Sequence, residues 1–380
     1  MKYYIIAGEA SGDLHGSNLI KEIKKLDTAA DIRCWGGDLM QQAGAHLVKH
    51  YRDLAFMGFA EVLSNIRTIL NNLRFCKEDI LQFKPDALIL IDYPGFNLRI
   101  AKWAKQQEIF SDGHCKLIYY ISPQVWAWKE NRVRQMKKNI DKMIIIIPFE
   151  KDYFKNNWNW DVEYVGHPLV GVIEKHQSLS AHPRFSEKPI VALLPGSRKQ
   201  EIAKKLPVML QVSKFFPDYQ FIVAEAPSVD DEFYKKLTKS YSNVSAVKNQ
   251  TYDLLLQAKA ALVTSGTATL ETALFGVPEV VCYKGSPVSY QIAKRMIKVK
   301  YISLVNLIMN KPVVKELIQR DLTVENLKNE LLELLTNPTK IASIKKDYEE
   351  LKKILGQGGS NGRADASAKA ARSIIDFLSQ

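Results

Sequence analysis

Short β-branched, apolar runs alternate along this chain with longer stretches of helical periodicity, and this alternation limits the folds open to it. Apolar runs separated by helices are typical of strands in a parallel sheet that is buried on both faces. The expected strands are 3–8, 31–37, 87–92, 116–122 and 142–148, followed by 189–197, 219–227, 243–249, 260–266 and 278–283. The sequence therefore predicts an α/β protein with two doubly wound, Rossmann-like domains in tandem.

The limits of the two domains follow from a break in this pattern. Residues 174–188 lose the periodicity and have the composition of a linker. We predict an N-terminal domain at 1–173 and a C-terminal domain at 189–355, which agrees with a chain of 380 residues, longer than one core usually serves. A last helix is predicted within 361–380, after a glycine-rich break, and it is free to pack back on the N-terminal domain.

Charge and cysteine usage narrow the class of protein. With 53 Lys and Arg against 41 Asp and Glu, the net charge of +12 favours an anionic partner: nucleic acid, a phospholipid surface or a phosphorylated substrate. The four cysteines are far apart and form no C-x-x-C pair, so neither a zinc site nor a disulfide framework is expected, and a reducing cytoplasm fits best. The most apolar run, at 143–149, is too short to span a bilayer. Any contact with a membrane is therefore expected to be peripheral.

In an open parallel sheet, ligands bind beyond the carboxyl ends of the strands, and the first such junction is the glycine-containing turn at 7–20. Ser11 or Asp13 is expected to cap the helix that follows, and Gly12 lets another group approach the backbone closely. The turn lacks G-x-G-x-x-G and the Walker spacing, which argues against a dinucleotide site or a P-loop. On these residues alone, a structural turn and a binding loop are equally good interpretations.

The second junction, at 193–202, opens the C-terminal domain. Backbone N–H groups around Gly196 and Ser197 at a helix start, with Arg198 beside them, suit a diphosphate, because the helix dipole and a guanidinium both stabilise anionic oxygens. The alternative interpretation is a solvated arginine in a turn.

The third junction, at 263–278, carries the strongest signal. A strand ends in small hydroxyl residues and leads into a helix whose first amides lie at the positive end of its dipole, a suitable seat for a pyrophosphate. These residues are Ser265, Gly266, Thr267, Ala268 and Thr269. Glu271, on the first turns, is within reach of a ribose diol. Two phosphate-type junctions in one domain predict a nucleotide site.

Asp92 ends an otherwise aliphatic run in the N-terminal domain, and Pro94 and Gly95 follow it. A base is what group transfer from a nucleotide needs, because an acceptor hydroxyl must lose its proton as the new bond forms. Asp, Pro and Gly are also common turn formers, and in isolation the turn is the better interpretation of Asp92.

Two further stretches, 122–142 and 53–75, bear on a lipid partner. Tryptophans ahead of a basic run, and apolar residues at helical spacing, both suit an interface with anionic lipid. The residues expected at such an interface are Trp126, Trp128, Arg132 and Arg134 in the first stretch and Met57, Phe59 and Leu63 in the second. A core-facing helix with a solvated basic face explains both stretches equally well.

Taken together, the motifs resemble the lipid-A-disaccharide synthase family, the inverting glycosyltransferases of the lipid A pathway. The resemblance rests on ordered blocks that extend from residue 7 to about residue 308: AGEASGD, FMGFAEVL, KPDALILIDYPGFN, ISPQVWAW, VGHPL, LLPGSRKQEI, SGTATLE and YISLVNLI. Their order makes the set far more specific than any single block.

The resemblance implies a GT-B architecture, two Rossmann-like domains facing each other across a cleft. It also implies a reaction in which UDP-2,3-diacylglucosamine donates its glucosamine unit to the 6-hydroxyl of 2,3-diacylglucosamine 1-phosphate. The products are the β-1,6-linked lipid A disaccharide 1-phosphate and UDP, formed by an inverting single displacement. No metal and no organic cofactor are implied. With the basic stretch, it predicts a cytoplasmic enzyme bound peripherally to the anionic inner face of the inner membrane, with no nucleic-acid partner and a homodimer as one option.

Carried over by position, the resemblance implies roles for individual residues. Asp92 matches the general base that deprotonates the acceptor, and Arg198 matches an arginine that stabilises the leaving diphosphate. The loop expected to face sugar and acceptor contains Glu9, Ser11, Gly12 and Asp13. The donor residues are Gly196, Ser197 and Arg198, Ser265 to Thr269 on the diphosphate, and Glu271 on the ribose. Asn306 matches the asparagine of the SLxNL block, and its role is left open.

Departures from the family and rival interpretations remain. Some members read IDAPDFN, with a second acid where this chain has Gly95, so in this chain the base role rests on Asp92 alone. Some members also read SLPNL, with a proline where this chain has Val305. The rivals are another GT-B UDP-sugar enzyme, either a UDP-GlcNAc transferase or a 2-epimerase, and a non-catalytic nucleotide-binding or nucleic-acid-binding protein. A GlcNAc transferase is expected to carry a more glycine-dense first turn, and a binding protein would leave Asp92 unexplained. No RNP1-like RNA motif is present.

Overall fold

The computed structural model describes residues 1–54, 66–227, 229–286, 290, 299–356 and 365–380. The chain forms two compact units. The first contains Met1–Pro168 together with Gly356–Gln380, and the second contains Leu169–Leu355.

The described part of the first unit contains a seven-stranded sheet in the order β3-β2-β1-β4-β5-β6-β7. Its strands are β1 Lys2–Ala7, β2 Asp31–Gly36, β3 His46–His50, β4 Ala87–Ile91, β5 Lys116–Tyr120, β6 Lys142–Ile145 and β7 Glu163–Tyr164. Every neighbouring pair is parallel. The strand order reverses between β1 and β4, and such a switch point is where doubly wound sheets bind their ligands.

Helices cover this sheet and bury its aliphatic strands. They are α1 Ala10–Leu26, α2 Asp38–Gln42, α3 Ile66–Phe83, α4 Pro94–Ala104, α5 Glu108–Ser111, α6 Arg132–Asn139 and α7 Phe149–Trp158. One polar network in the core joins three side chains: the Tyr4 hydroxyl donates to Asp79 at 2.7 Å and accepts from the Trp35 indole N–H at 2.9 Å. The sheet is therefore a rigid platform for the loops at its carboxyl edge.

The described part of the second unit contains a six-stranded sheet in the order β10-β9-β8-β11-β12-β13, the Rossmann order with its switch point between β8 and β11. All of its described strand pairs are parallel. Its strands are β8 Ile190–Leu194, β9 Gln220–Glu225, β10 Val244–Lys248, β11 Ala258–Thr264, β12 Glu279–Tyr283 and β13 Lys315–Ile318.

The remaining helices complete the second unit and return the chain to the first. They are α8 Pro168–Gln177, α9 Lys199–Ser213, α10 Asp231–Thr238, α11 Thr251–Gln257, α12 Thr267–Leu274, α13 Leu304–Met309, α14 Val324–Thr336, α15 Pro338–Gly356 and α16 Ala366–Leu378. Helix α16 packs against α1 and β5. Ser373 of α16 donates to the Glu163 carboxylate at 2.6 Å, so the C-terminal helix belongs to the first unit.

The stretch 174–188, expected as a linker, differs from that expectation in the structure. Its first four residues are the end of α8, whose Leu169, Val170 and Ile173 are buried. The rest is attached to the second unit, because the Gln257 amide donates to the Pro183 carbonyl at 2.8 Å. The division between the units accordingly lies at residues 168 and 169, ahead of the predicted boundary at 173.

Candidate active site

Two residues predicted to carry chemistry in the first unit, Glu9 and Asp92, lie at the carboxyl edge of its sheet together with a third acid, Glu150. Glu9 follows β1, Asp92 follows β4 and Glu150 lies shortly after β6. Strands β1 and β4 are neighbours at the switch point, so Glu9 and Asp92 are brought together. We call Glu9, Asp92 and Glu150 the acid cluster.

Asp92 is held in a strained backbone conformation. Asp92 and Tyr93 have φ angles of +43° and +46°, a left-handed region that costs a non-glycine residue about 1–3 kcal/mol. The carbonyl of Asp92 accepts hydrogen bonds from Asn97 Nδ2 at 2.8 Å and from the Tyr119 hydroxyl at 2.5 Å. Two buried side chains, Asn97 and Tyr119, therefore fix the turn that presents the carboxylate.

The surroundings of Asp92 shift its acidity towards neutrality. Burial is the main cause that raises the pKa of Asp92 to about 7, and the negative charge of Glu9 raises it further. A hydrogen bond from the Tyr93 backbone N–H acts in the opposite direction. The carboxyl group can therefore both accept and release a proton near pH 7, as a general base must.

Glu150, on the first turn of α7, is an acid that the sequence motifs did not indicate. It is 1% exposed; its Oε1 accepts from the Trp126 indole N–H at 2.9 Å, and its Oε2 has no hydrogen-bond donor among the described residues. Burial raises the pKa of Glu150 to about 8, and the charge of Asp92 contributes in the same direction. Glu150 is therefore mostly protonated at neutral pH. Its position just beyond the end of β6 is the signal that could have identified it.

Two buried histidines, His15 and His167, pack against each other in the first unit. The rings of His15 and His167 pack edge to face, with centroids 6.3 Å apart. Burial lowers the pKa of His15 to about 4 and that of His167 to about 3, and His15 contributes to the second shift. Both are neutral at pH 7, so they add no positive charge.

The structure divides the predicted acceptor loop into two parts. Helix α1 begins at Ala10, so the expected capping of α1 by Ser11 or Asp13 is wrong. Asp13 is buried, and its carboxylate accepts from the backbone N–H groups of Gly37, Leu39 and Met40 at 2.8, 3.2 and 3.0 Å, which caps α2 instead. Gly12 packs on Ala7. Glu9 and Ser11 remain partly exposed, so they are the members of this loop that a ligand can reach.

Gly8 is required by the ring of Tyr93. A Cβ atom on Gly8 would lie 2.3 Å from Cγ and Cδ1 of Tyr93, so Gly8→Ala must displace the residue that follows Asp92. We expect Gly8→Ala to lose about 1–3 kcal/mol of unfolding free energy and to lower turnover, measured by thermal unfolding and by product formation. Gly95→Ala is the matched control, because a Cβ there meets none of the described atoms within 4 Å. Equal stability and turnover for the two variants would contradict this role of Gly8.

In the second unit, the two predicted phosphate junctions come together because β8 and β11 are neighbours at the switch point. Gly196, at φ +118°, forms the turn after β8, and Ser197 and Arg198 are exposed ahead of α9. Lys205 of α9 is buried and donates to the Thr264 hydroxyl at the end of β11. Gly196 also lies beside Thr264, because a Cβ atom on Gly196 would be 3.5 Å from Cγ2 of Thr264. We call residues 196–198 and 264–269 the phosphate loops.

Charges around the phosphate loops are mostly basic. The Arg198 guanidinium lies 3.5 Å from Oε1 of Glu201, and the Lys205 ammonium lies 3.6 Å from its Oε2. Burial lowers the pKa of Lys205. The sequence motif indicated Arg198, whereas Lys205 was missed because a lysine inside a helix carries no sequence signal of burial.

Helix α12 offers its N-terminus beside these residues. Its N-cap, Gly266, has φ +142° and, like Thr267, is exposed, while Thr269 is buried and its hydroxyl donates to the Gly266 carbonyl at 2.8 Å. Amides in the first turn of a helix generally lack intrahelical acceptors and lie at the positive end of the dipole, although the Thr269 N–H here donates to the Gly266 carbonyl at 3.1 Å. The Ser265 hydroxyl donates to the Ile302 carbonyl at 2.9 Å, which connects the start of α12 to a neighbouring loop.

Glu271 lies one turn into α12 and is braced by Tyr252. The Tyr252 hydroxyl donates to Oε1 of Glu271 at 2.8 Å. Burial raises the pKa of Glu271, and the bond from Tyr252 opposes this shift. The second oxygen of Glu271 can accept a hydrogen bond from a diol.

A family model described as lipid-A-disaccharide synthetase matches residues 3–371 of this chain. The chain belongs to this family. The lipid-A-disaccharide synthase of Syntrophus aciditrophicus is 39% identical over 374 residues, which covers 96% of each chain. That of Geobacter metallireducens is 37% identical over 368 residues and covers 94% of each chain. The protein is therefore an enzyme, a glycosyltransferase of lipid A biosynthesis, which confirms the resemblance in the sequence.

Solved structures are similar to the chain in fold. The UDP-GlcNAc 2-epimerase of Neisseria meningitidis, bound to UDP-GlcNAc, has a TM-score of 0.64 and 13% identity and covers 100% of this chain and 99% of its own. A calicheamicin glycosyltransferase has a TM-score of 0.62 and 17% identity and covers 100% and 98%. At these identities the likeness concerns the fold alone. This likeness confirms the α/β class and the GT-B architecture predicted for this chain.

Within this family member, Asn306 has a structural role in the described contacts. Asn306 Nδ2 donates to the Val314 carbonyl and to Oε1 of Glu316, both at 2.9 Å, and its Oδ1 accepts from the Val314 N–H at 2.9 Å. Asn306 is 1% exposed. It therefore joins α13 to the strand that follows.

The residues expected at a lipid surface fall into three groups. Trp126 turns inward to Glu150, whereas Trp128 is 44% exposed, with Lys129 Nζ and Arg132 Cζ at 4.3 and 5.6 Å from its ring. Arg134 is exposed. Met57, Phe59 and Leu63 lie outside the described residues. Across the described chain, no helix has both the length and the apolar character needed to cross a membrane.

A group of metal-ligating side chains occurs away from the predicted residues. His176, His182 and Asp253 place one donor atom each within 4.8 Å of one another in the described part of the second unit. The sequence had given no indication of a metal site.

Proposed function

We propose that the enzyme transfers the glucosamine unit of UDP-2,3-diacylglucosamine to the 6-hydroxyl of 2,3-diacylglucosamine 1-phosphate by an inverting single displacement. The products are the β-1,6-linked disaccharide 1-phosphate and UDP. The observation that carries the proposal is Asp92, a carboxyl group with a pKa raised to about 7, fixed by a strained turn at the switch point of its sheet.

On the acceptor side, Asp92 takes the proton of the 6-hydroxyl as the oxygen attacks the anomeric carbon. Glu150 supports this role because, when protonated at neutral pH, it places no negative charge near the Asp92 carboxylate. Asn97 and Tyr119 hold the backbone of Asp92, so little reorganisation is needed when the proton moves.

On the donor side, the bond between the anomeric carbon and the diphosphate oxygen breaks, and its electron pair leaves with UDP. Arg198 and the first amides of α12 stabilise the negative charge that develops on the diphosphate. Lys205, about two turns further along α9, adds a positive charge beside the same loops. Glu271, positioned by Tyr252, binds the ribose diol.

These groups supply the charge compensation, and we propose that transfer itself requires neither a metal ion nor an organic cofactor. The net charge of +12 suits the anionic substrates and an anionic membrane surface. Peripheral binding to the inner face of the inner membrane, without nucleic acid, is part of the proposal. The homodimer stays a prediction.

The decisive experiment is a reaction with both purified substrates in the presence of EDTA. UDP release and disaccharide mass report transfer, and the anomeric proton coupling in NMR reports stereochemistry. We expect a β linkage and equal rates with and without EDTA. An α linkage would contradict the single displacement, and transfer to unacylated glucosamine 1-phosphate at the same rate would contradict the lipid substrates.

The exposed ring of Trp128, flanked by two cations, is the described feature best suited to a lipid surface. We expect the enzyme to co-sediment with phosphatidylglycerol vesicles at low salt. The double variant Trp128→Ala, Arg132→Ala should bind a several-fold smaller fraction of the protein to the vesicles. Leu179→Ala removes a comparably exposed apolar side chain in the other unit and serves as the control. Wild-type protein that stays in the supernatant would remove the membrane part of the proposal.

A further inference from the structure

His176, His182 and Asp253 meet in the second unit although they are distant in sequence. His176 lies near the end of α8, His182 in the segment that follows it, and Asp253 in the first turn of α11. Oδ1 of Asp253 lies 2.9 Å from Nε2 of His176 and 2.8 Å from Nδ1 of His182. The two imidazole rings are 5.2 Å apart between centroids.

The ligand set and its spacing suit a transition-metal ion. Two imidazoles and one carboxylate are a common ligand set for divalent zinc, iron, cobalt and nickel. Metal–ligand bonds of about 2.0–2.2 Å place adjacent ligand atoms about 3 Å apart, close to the separations seen around Asp253. An ion would replace the two hydrogen bonds to Oδ1 of Asp253, with loss of the two imidazole protons that face the carboxylate.

The surroundings hold these side chains in place and leave them accessible. The side chains of His176, His182 and Asp253 are 22%, 22% and 17% exposed, so an ion can reach them from solvent. The rings of Tyr252 and Phe275 pack edge-on against His176, with centroids at 5.4 and 6.3 Å. This packing orients one ligand before any ion binds.

The segment that carries His182 is also fixed independently. The Gln257 amide donates to the Pro183 carbonyl at 2.8 Å, and its oxygen accepts from the Phe185 N–H at 3.3 Å. Gln257 lies one turn after Asp253 on α11. The backbone just after His182 is therefore connected to α11 by contacts other than those of the three ligands, which lowers the entropic cost of binding.

We propose that His176, His182 and Asp253 bind one zinc-class divalent ion that fastens residues 178–185 to α11. The ion has a structural role, since none of its ligands is among the residues assigned to sugar transfer. The inference does not depend on the proposed reaction, and its failure would leave that reaction untouched.

Isothermal titration of the tag-free, EDTA-treated full chain with zinc chloride tests the site. We expect one ion per chain, and at least a tenfold weaker affinity for His182→Ala and for Asp253→Asn. Asp253→Asn is informative because an amide oxygen still accepts hydrogen bonds from imidazoles but is a poor zinc ligand. His114→Ala is the control. Nδ1 of the exposed His114 lies 3.1 Å from Oδ1 of Asp112, but among the described residues this pair has no third ligand beside it.

Thermal unfolding supplies a second readout. At a zinc concentration about 100 times the wild-type dissociation constant, we expect the Tm of the wild type to rise by about 5 °C and that of Asp253→Asn to rise by no more than about half as much. Turnover in EDTA should persist, which separates this ion from catalysis. Absence of zinc uptake by the wild type, or uptake by Asp253→Asn with unchanged affinity, would show that the cluster is a hydrogen-bonded brace only.

Discussion

Asp92→Asn should lower turnover by about a thousandfold while leaving the fold intact, since removal of a general base typically costs 10²- to 10⁴-fold. The amide has nearly the shape of the carboxyl group, and the bonds from Asn97 and Tyr119 go to the backbone carbonyl, which the substitution keeps. The measurement is the initial rate of UDP release with both lipid substrates. Asp112→Asn, at an exposed site, is the matched control and should retain full activity.

The pH dependence provides the sharper test of the same role. Because the base form of Asp92 is required and its pKa is about 7, kcat/KM should rise about tenfold per unit of pH below 7 and level off above it. Asp92→Asn should show a low rate without this inflection. A variant that keeps the wild-type profile, whatever its rate, would assign the proton transfer to another group.

Stability changes with pH in a direction that can be stated in advance. The pKa of Asp92 is raised in the folded state from 3.8 to about 7, so between these values the folded chain keeps a proton that the unfolded chain releases. The contribution of this group to stability is therefore fully present below about pH 4 and lost as the pH rises through 7. Asp92→Asn carries no charge to bury and should unfold at pH 8 at a temperature no lower than that of the wild type. A large loss of stability would mean that the carboxylate is needed for folding.

Arg198→Ala should reduce kcat/KM for the UDP sugar by about 10²- to 10³-fold, because it removes a cation from the leaving diphosphate in the transition state. Arg198→Lys should recover only part of the loss, since an ammonium cannot form the two parallel bonds that a guanidinium offers to phosphate oxygens. The measurement is the steady-state rate at varied donor concentration, together with UDP affinity by titration.

The control for Arg198 is its neighbour in sequence. Lys199 is exposed at the first position of α9, and its ammonium stacks over the Phe233 ring at 5.2 Å. Lys199→Ala removes the same charge from the same helix end and should change kcat/KM only slightly. Equal losses for the two variants would show that Arg198 contributes general electrostatic attraction and makes no specific contact with the diphosphate.

The strands show how far local sequence predicts this fold. The interior strands appear where apolar runs predicted them, because a parallel strand covered on both faces must be apolar throughout. Strands β3, β7 and β13 were missed, and each lies at an edge of its sheet. Their sequences, HLVKH, EY and KELI, are polar or short because an edge strand is only half covered.

The candidate active-site residues divide in a similar way. Asp92 and Arg198 were predicted because they follow strand ends, which the sequence locates, and because the family resemblance assigns them roles. Glu150 and Lys205 were missed because their importance comes from burial beside other charged groups. Asp13 was assigned to its own helix, yet it caps α2, whose amides reach it only after the chain has folded.

The sequence by itself determined the class of fold, the strand ends at which the candidate site residues lie and the family of enzymes to which the chain belongs, because each is encoded in contiguous residues. The tertiary structure alone decided which side chains share a charge environment. The raised pKa of Asp92, its strained turn, the bond from Tyr252 to Glu271 and the meeting of two histidines with Asp253 all depend on contacts between distant segments. Electrostatic interactions and burial depend on separation in space, and local residue patterns specify that separation only through the whole fold.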